Sequence, residues 1–127
     1  GRPVVVAFYP GDDTSVCTRQ LNDYNAGLDQ FDGLDAQILA ISPQDVDSHQ
    51  RFADKYGFRF PLLADIDKAV ARRYGTLGPL GFPRRSVFIV DGDGVVRYAH
   101  RAIAGLTFRP TSELVEALRN VRSATGG

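Results

Sequence analysis

One cysteine, no methionine and no tryptophan occur in the 127 residues. A single sulfur cannot close an internal disulfide, and a thiolate-rich metal site is excluded. Cys17 is therefore a small buried hydrophobe, a reactive thiol, or half of a bond to another molecule. Lysine is scarce too: two of the 15 basic residues are Lys, which leaves 13 Arg, and 15 acidic residues bring the net charge to zero. With no basic stripe interleaved with aromatics, nucleic acid is not an expected partner. The longest apolar runs, VVVAFY (4–9) and VFIV (87–90), fall far short of a membrane span, so no membrane association is expected. No secretion-signal pattern opens the chain, and the default expectation is a cytoplasmic protein. Without methionine, and with GRP running straight into an apolar strand, a start missing or removed is expected.

What remains is enough for one globular domain. Hydrophobic residues make up 43% and charged residues 24% of the chain, which suits a single core spanning 1–122 with SATGG (123–127) as a loose tail. PVVVAFY and AQILAIS (36–42) are continuous apolar runs of the kind found in strands covered on both faces. Between them Leu21, Tyr24, Leu28 and Phe31 recur at helical spacing, predicting a helix from about Thr14 to Phe31 and hence a β-α-β unit. A second helix follows SPQD, with Val46, His49, Ala53 and Tyr56 on one face, and ends at Gly57. FPLLA (60–64) reads as a short strand, and Ile66, Val70 and Tyr74 mark a third helix closed by Gly75. GTLGPLGFP (75–83) reads as a loop, RSVFIVD, GDG and VVRYAHRA as a hairpin, and Thr111 or Ser112 as the cap of a last helix bearing Leu114, Leu118 and Val121. The predicted class is α/β, a thioredoxin-like three-layer α/β/α sandwich with a mixed central sheet.

Asp12, Asp13 and Thr14 are all good N-cap residues, which puts Cys17 in the first turn of the first helix. Backbone N–H groups without helical partners and the positive end of the macrodipole favour an anion there. A thiol of ordinary acidity, pKa about 8.5, is only about 3% ionised at pH 7, so its surroundings decide how much nucleophile exists. Asp12 and Asp13 oppose ionisation, and a cation from elsewhere in the chain is required. Cys17 also extends the apolar stripe 21, 24, 28, 31, so periodicity alone leaves the inert reading as open as the reactive one.

The stretch FYPGDDTSVC resembles the PxxxTxxC signature of peroxiredoxins, at its usual place between the first core strand and the first helix. FPLLAD (60–65), YG (74–75), RSVFIVDGDG (85–94) and GLTFRPTSELVEAL (105–118) agree in order, and the likeness is nearest to the bacterioferritin comigratory protein branch. The resemblance implies a thiol peroxidase acting on hydrogen peroxide and organic hydroperoxides. It implies that Cys17 is the peroxidatic residue, that Thr14 orients the peroxide, that Pro10 shields the sulfenic acid, and that Arg85 supports the thiolate and the departing oxygen. Arg85 is then the required cation, and neither metal nor organic cofactor is needed. Where some members of that branch carry a resolving cysteine, this chain has Asn22, so an external thiol is expected to resolve the sulfenic acid: a thioredoxin, a glutaredoxin-like protein or a small thiol. Gln20 stands where the family often has Glu, leaving Arg85 less neutralised. The family begins with an N-terminal hairpin ahead of the first core strand, which is expected to be missing from this chain, and the chain is expected as a monomer or homodimer.

Two other functions fit the same fold. One is a thiol-disulfide oxidoreductase, since Thr14-Ser-Val-Cys17 falls where a CxxC lies; the other is a non-enzymatic module that binds a partner or senses oxidant through Cys17. His49 and His100 lack ligand-spaced partners and are expected to be surface or satisfied residues. Asp91-Gly-Asp93-Gly94 fits a hairpin turn better than a calcium loop.

Overall fold

A computed structural model of the chain describes residues 2–12, 14–77, 84–101 and 108–124, with side chains as far as 121 in the last stretch. The β-branched run after Pro3 forms β1 (Val4–Phe8) in the middle of a five-stranded sheet. On one side it pairs in parallel with β2 (Gln37–Ser42), which pairs in parallel with the short edge strand β3 (Leu62–Ala64). On the other it pairs antiparallel with β4 (Ser86–Val90), itself the antiparallel partner of the edge strand β5 (Val96–Arg101). The order β3-β2-β1-β4-β5 makes the sheet mixed, as expected.

Alternation along β1 sends side chains to two buried faces. Val5, Ala7 and Tyr9 join Ile38, Ala40, Val87 and Ile89 on one of them. That face is covered by α1 (Ser15–Ala26), α2 (Leu28–Gly33), Phe52 of α3 (Val46–Tyr56), and Leu114 and Leu118 of α5 (Thr111–Ala124). Val6, Phe8, Ile41 and Phe88 pack on the other, under Ala71 of α4 (Ala69–Arg73) and Tyr74. Each fully buried Leu, Ile or Phe of these layers contributes about 1.5–3 kcal/mol over an exposed one.

The helix expected over 14–31 is two helices. The break falls at Gly27, where a Cβ would lie 2.3 Å from Thr111 Cγ2. Thr111 docks there by donating its N–H to Asp23 Oδ2 and its hydroxyl to the Asp23 carbonyl oxygen, so Thr111 is the first residue of α5 and a tether, and Pro110 accepts the first backbone bonds of the helix. α5 continues through Ser123 and Ala124, and residues 125–127 of the expected tail lie outside the described ones. α3 buries His49 and Phe52 and leaves Val46, its first residue, 67% exposed. Ile66 is outside α4 and 63% exposed. The loop residues 78–83 lie outside the described residues, as do 102–107.

Gly57 ends α3 in the left-handed region, φ 69°, and Asp45 caps its start by accepting from the Ser48 N–H. Between β4 and β5, Asp91 Oδ1 accepts from the N–H groups of Asp93 and Val95 while Oδ2 accepts from Arg97 Nε at 2.7 Å. These acidic residues therefore build a turn, and among the described residues no group of three His, Cys, Asp or Glu is arranged to hold a metal ion.

The sheet register decides what meets at the top of β1. Phe8 lies opposite Ser86, so the residue before β4, Arg85, stands beside the turn that leads from β1 into α1.

Candidate active site

Thr14 occupies the N-cap position of α1 with extended backbone, and the Thr18 N–H donates to its carbonyl oxygen at 2.8 Å. Its hydroxyl does not cap the helix; it donates to the Gly11 carbonyl oxygen at 3.2 Å, fixing the turn upon itself. The first-turn N–H groups are thus left without a side-chain acceptor from Thr14, and Cys17 is the third residue of that turn. Asp13, another candidate cap, lies outside the described residues.

Cys17 is buried and free. Arg85, 3% exposed, donates from Nη1 to Cys17 Sγ at 3.1 Å and to Gln20 Oε1 at 2.6 Å. A guanidinium does not lose its proton in a protein, so the sulfur faces a permanent cation. Gln20 is fully buried and passes the link on: its Nε2 donates to the Tyr24 hydroxyl, which donates to the Arg109 carbonyl oxygen. Burial pushes the Tyr24 phenol well above its ordinary range, with the Gln20 hydrogen bond opposing, so the O–H persists as a donor. Gln20 accepts from Arg85 without carrying charge, which a Glu would.

Pro10 is half-buried just past β1 and Thr14 is exposed ahead of α1, and of the four expected site residues Arg85 reaches Cys17. The acidic residue that threatened the anion is dealt with locally. Asp12 turns away from the helix start and accepts from Tyr9 Oη (2.6 Å), Ser48 Oγ (2.6 Å) and His49 Nδ1 (2.8 Å). Burial alone would raise its carboxyl, but the hydrogen bonds from His49, Ser48 and Tyr9 outweigh it and hold the group below the usual carboxylate range. Tyr9 is pushed far above its ordinary range by burial and by the Asp12 carboxylate, with a Ser42 hydrogen bond opposing.

Sequence reasoning named Cys17, Thr14, Arg85, Pro10 and Gln20 but missed Tyr9, Tyr24 and the partners of Asp12. His49 is indeed a satisfied residue, and its place in an otherwise apolar stripe was the one signal that a polar partner had to exist. His100 Nδ1 lies 3.2 Å from Arg109 Nη2 and takes no part here.

A family model described as AhpC/TSA family matches residues 1–99. The chain is 34% identical over 125 residues to the chloroplastic peroxiredoxin Q of Oryza sativa subsp. japonica, covering 97% of this chain and 56% of that protein. It is 38% identical over 111 residues to peroxiredoxin Bcp of Xanthomonas campestris pv. campestris, covering 81% of this chain and 69% of the relative. The chain thus spans about half the length of the plant relatives it matches. Among solved structures, the Xanthomonas campestris bacterioferritin comigratory protein, described for its alkyl peroxide reduction activity, superimposes with a TM-score of 0.87 at 33% identity, over 95% of this chain and 80% of that one. Enterococcus faecalis AhpC gives 0.92 at 27% identity over 99% and 78%. The fold is thioredoxin-like.

Proposed function

Because the chain belongs to the AhpC/TSA family, we propose that it is a thiol-dependent peroxidase that reduces hydrogen peroxide and organic hydroperoxides through a Cys17 sulfenic acid. The observation that carries this reading is the buried 3.1 Å contact between Arg85 Nη1 and Cys17 Sγ at the start of α1. Two positive sources, a guanidinium and a helix N-terminus, converge on one sulfur, which favours the thiolate.

The thiolate attacks the terminal oxygen of R–O–O–H in line with the O–O bond. An S–O bond forms, the O–O bond breaks, and R–O⁻ leaves and takes up a proton as R–OH. Negative charge moves from sulfur to the departing oxygen, and Arg85 is assigned the stabilisation of both ends of that movement. Thr14 is assigned the orientation of the peroxide and Pro10 the shielding of the sulfenic acid; their places on the Pro10–Thr14 turn, next to Cys17 in sequence, support this. The sulfenic acid then condenses with an external thiol to give a mixed disulfide and water, and a second thiol releases Cys17. One cysteine per chain is the reason the second sulfur comes from outside, from a thioredoxin, a glutaredoxin-like protein or a small thiol.

A reducing compartment suits a chain without a structural disulfide, and we propose the cytoplasm; no helix among the described residues is long and apolar enough to cross a membrane. A monomer or homodimer is the proposed state.

The complete burial of Cys17 favours one second reading, a non-enzymatic thiol module. Peroxide consumption with dithiothreitol as reductant separates the two. Turnover that disappears in Cys17→Ser is expected, with no reduction of insulin; a wild-type chain that leaves peroxide untouched sinks the peroxidase reading.

A further inference from the structure

The cluster around Asp12 is built more carefully than a turn requires. Three donors converge on one carboxylate from two segments: Tyr9 Oη at the end of β1, and Ser48 Oγ and His49 Nδ1 on α3. The loop ahead of α3 adds a fourth tie, Gln44 Oε1 accepting from the Asp12 N–H at 2.9 Å. Asp12 and His49 side chains are each 4% exposed, so the pair is removed from water.

Both ring nitrogens of His49 face oxygen acceptors. Nδ1 lies 2.8 and 3.0 Å from the two Asp12 oxygens, and Nε2 lies 3.0 Å from the Leu63 carbonyl oxygen on β3. A carboxylate and a carbonyl both accept, whereas a neutral imidazole has only one N–H. Outweighing burial, the three hydrogen bonds that hold the Asp12 carboxyl below its usual range keep it ionised, and opposite a carboxylate either neutral tautomer sets a bare nitrogen lone pair against an oxygen lone pair in a buried site. Opposite an ionised Asp12, the doubly protonated ring serves both contacts. Among the described residues, Tyr9 Oη, 3.4 Å from Nδ1, is the other titratable group within hydrogen-bond distance of the ring, and it stays a neutral donor.

We propose that His49 is carried as an imidazolium ion and acts as a positioning residue for the peroxide chemistry: its charge cancels that of Asp12, and its two N–H groups tie the Pro10–Thr14 turn to α3 and β3. Without it, a buried carboxylate would stand uncompensated five residues before the sulfur, against the anion that Arg85 supports. The role rests on the peroxidase reading; the charge state does not.

Two measurements on the full chain test it. In a ¹⁵N-labelled chain at pH 7, a long-range proton–nitrogen correlation spectrum should show both ring nitrogens of one histidine protonated, with that signal lost in His49→Gln. A His49 ring with one bare nitrogen overturns the inference whether or not any variant folds. In single-turnover oxidation of Cys17 by hydrogen peroxide, His49→Gln should be slower by about tenfold or more, since small misplacements of reacting groups cost that much. Adding Asp12→Asn should recover part of the rate, because no charge is left to cancel; a merely structural lesion would deepen instead. A wild-type rate in His49→Gln, or a deeper loss in the double variant, overturns the positioning role. A neutral His49 in a chain that consumes peroxide defeats this inference alone, whereas a doubly protonated His49 in a chain that ignores peroxide defeats the peroxidase reading and removes the role with it.

Discussion

Arg85 Nη1 donates to two acceptors, the sulfur and the Gln20 oxygen, and the geometry explains why both matter. In the proposed reaction the charge stabilises the attacking sulfur, and the Gln20 amide fixes where the charge sits. Removing one preorganised donor to a developing anion costs about 10²–10³ in rate, so Arg85→Ala should slow peroxide reduction by that factor, measured as the second-order rate of Cys17 oxidation. Asp12 makes a separate prediction on stability. Its folded carboxyl is held below the unfolded value of about 3.9, so its stabilisation is present above that value and fades as pH falls through the folded one. Asp12→Asn should therefore flatten the loss of stability on acidification, followed by urea unfolding between roughly pH 5 and 2. An acid limb unchanged by the substitution would contradict the network. At this scale the sequence disclosed Cys17 and Arg85, which the fold brings into contact, because PxxxTxxC and a following Arg keep a recognisable order. It did not disclose that His49 meets Asp12, since that pairing joins residues 37 apart through the packing of α3 on the sheet.

The elements meet at the site because of register and one close approach. β4 runs antiparallel to β1, and the pairing of Phe8 with Ser86 brings Arg85 to the mouth of α1; strand direction is invisible in composition. Gly27 is the second such point. Gly27→Ala would force its methyl group into Thr111, whose short side chain is held by two hydrogen bonds to Asp23. Overpacking of this kind costs about 1–3 kcal/mol, and thermal or urea unfolding should register it, while a neutral result would mean that α5 shifts freely. Local signals were legible: Asp45 capping α3, Gly57 ending it, the Asp91 turn. The division of the first helix at Gly27 was not, because helical periodicity passes through position 27 unbroken and the reason for the break lies on α5.

For the whole molecule, the proposed peroxidase reading makes oxidation and reduction of the one sulfur separate encounters, a peroxide first and then a second protein or a small thiol. After one equivalent of peroxide and excess small thiol, the intact mass should equal that of the chain plus one thiol less two hydrogens, as required for a mixed disulfide. Two chains joined through Cys17 would contradict external resolution. The central claim is that the Arg85 guanidinium makes a nucleophile of Cys17, and dimedone trapping followed by mass spectrometry tests it most directly. With stoichiometric hydrogen peroxide, wild type should carry one dimedone adduct at Cys17, with the adduct nearly absent from Arg85→Ala over the same interval; an unlabelled wild type, or equal labelling of the two, would contradict it.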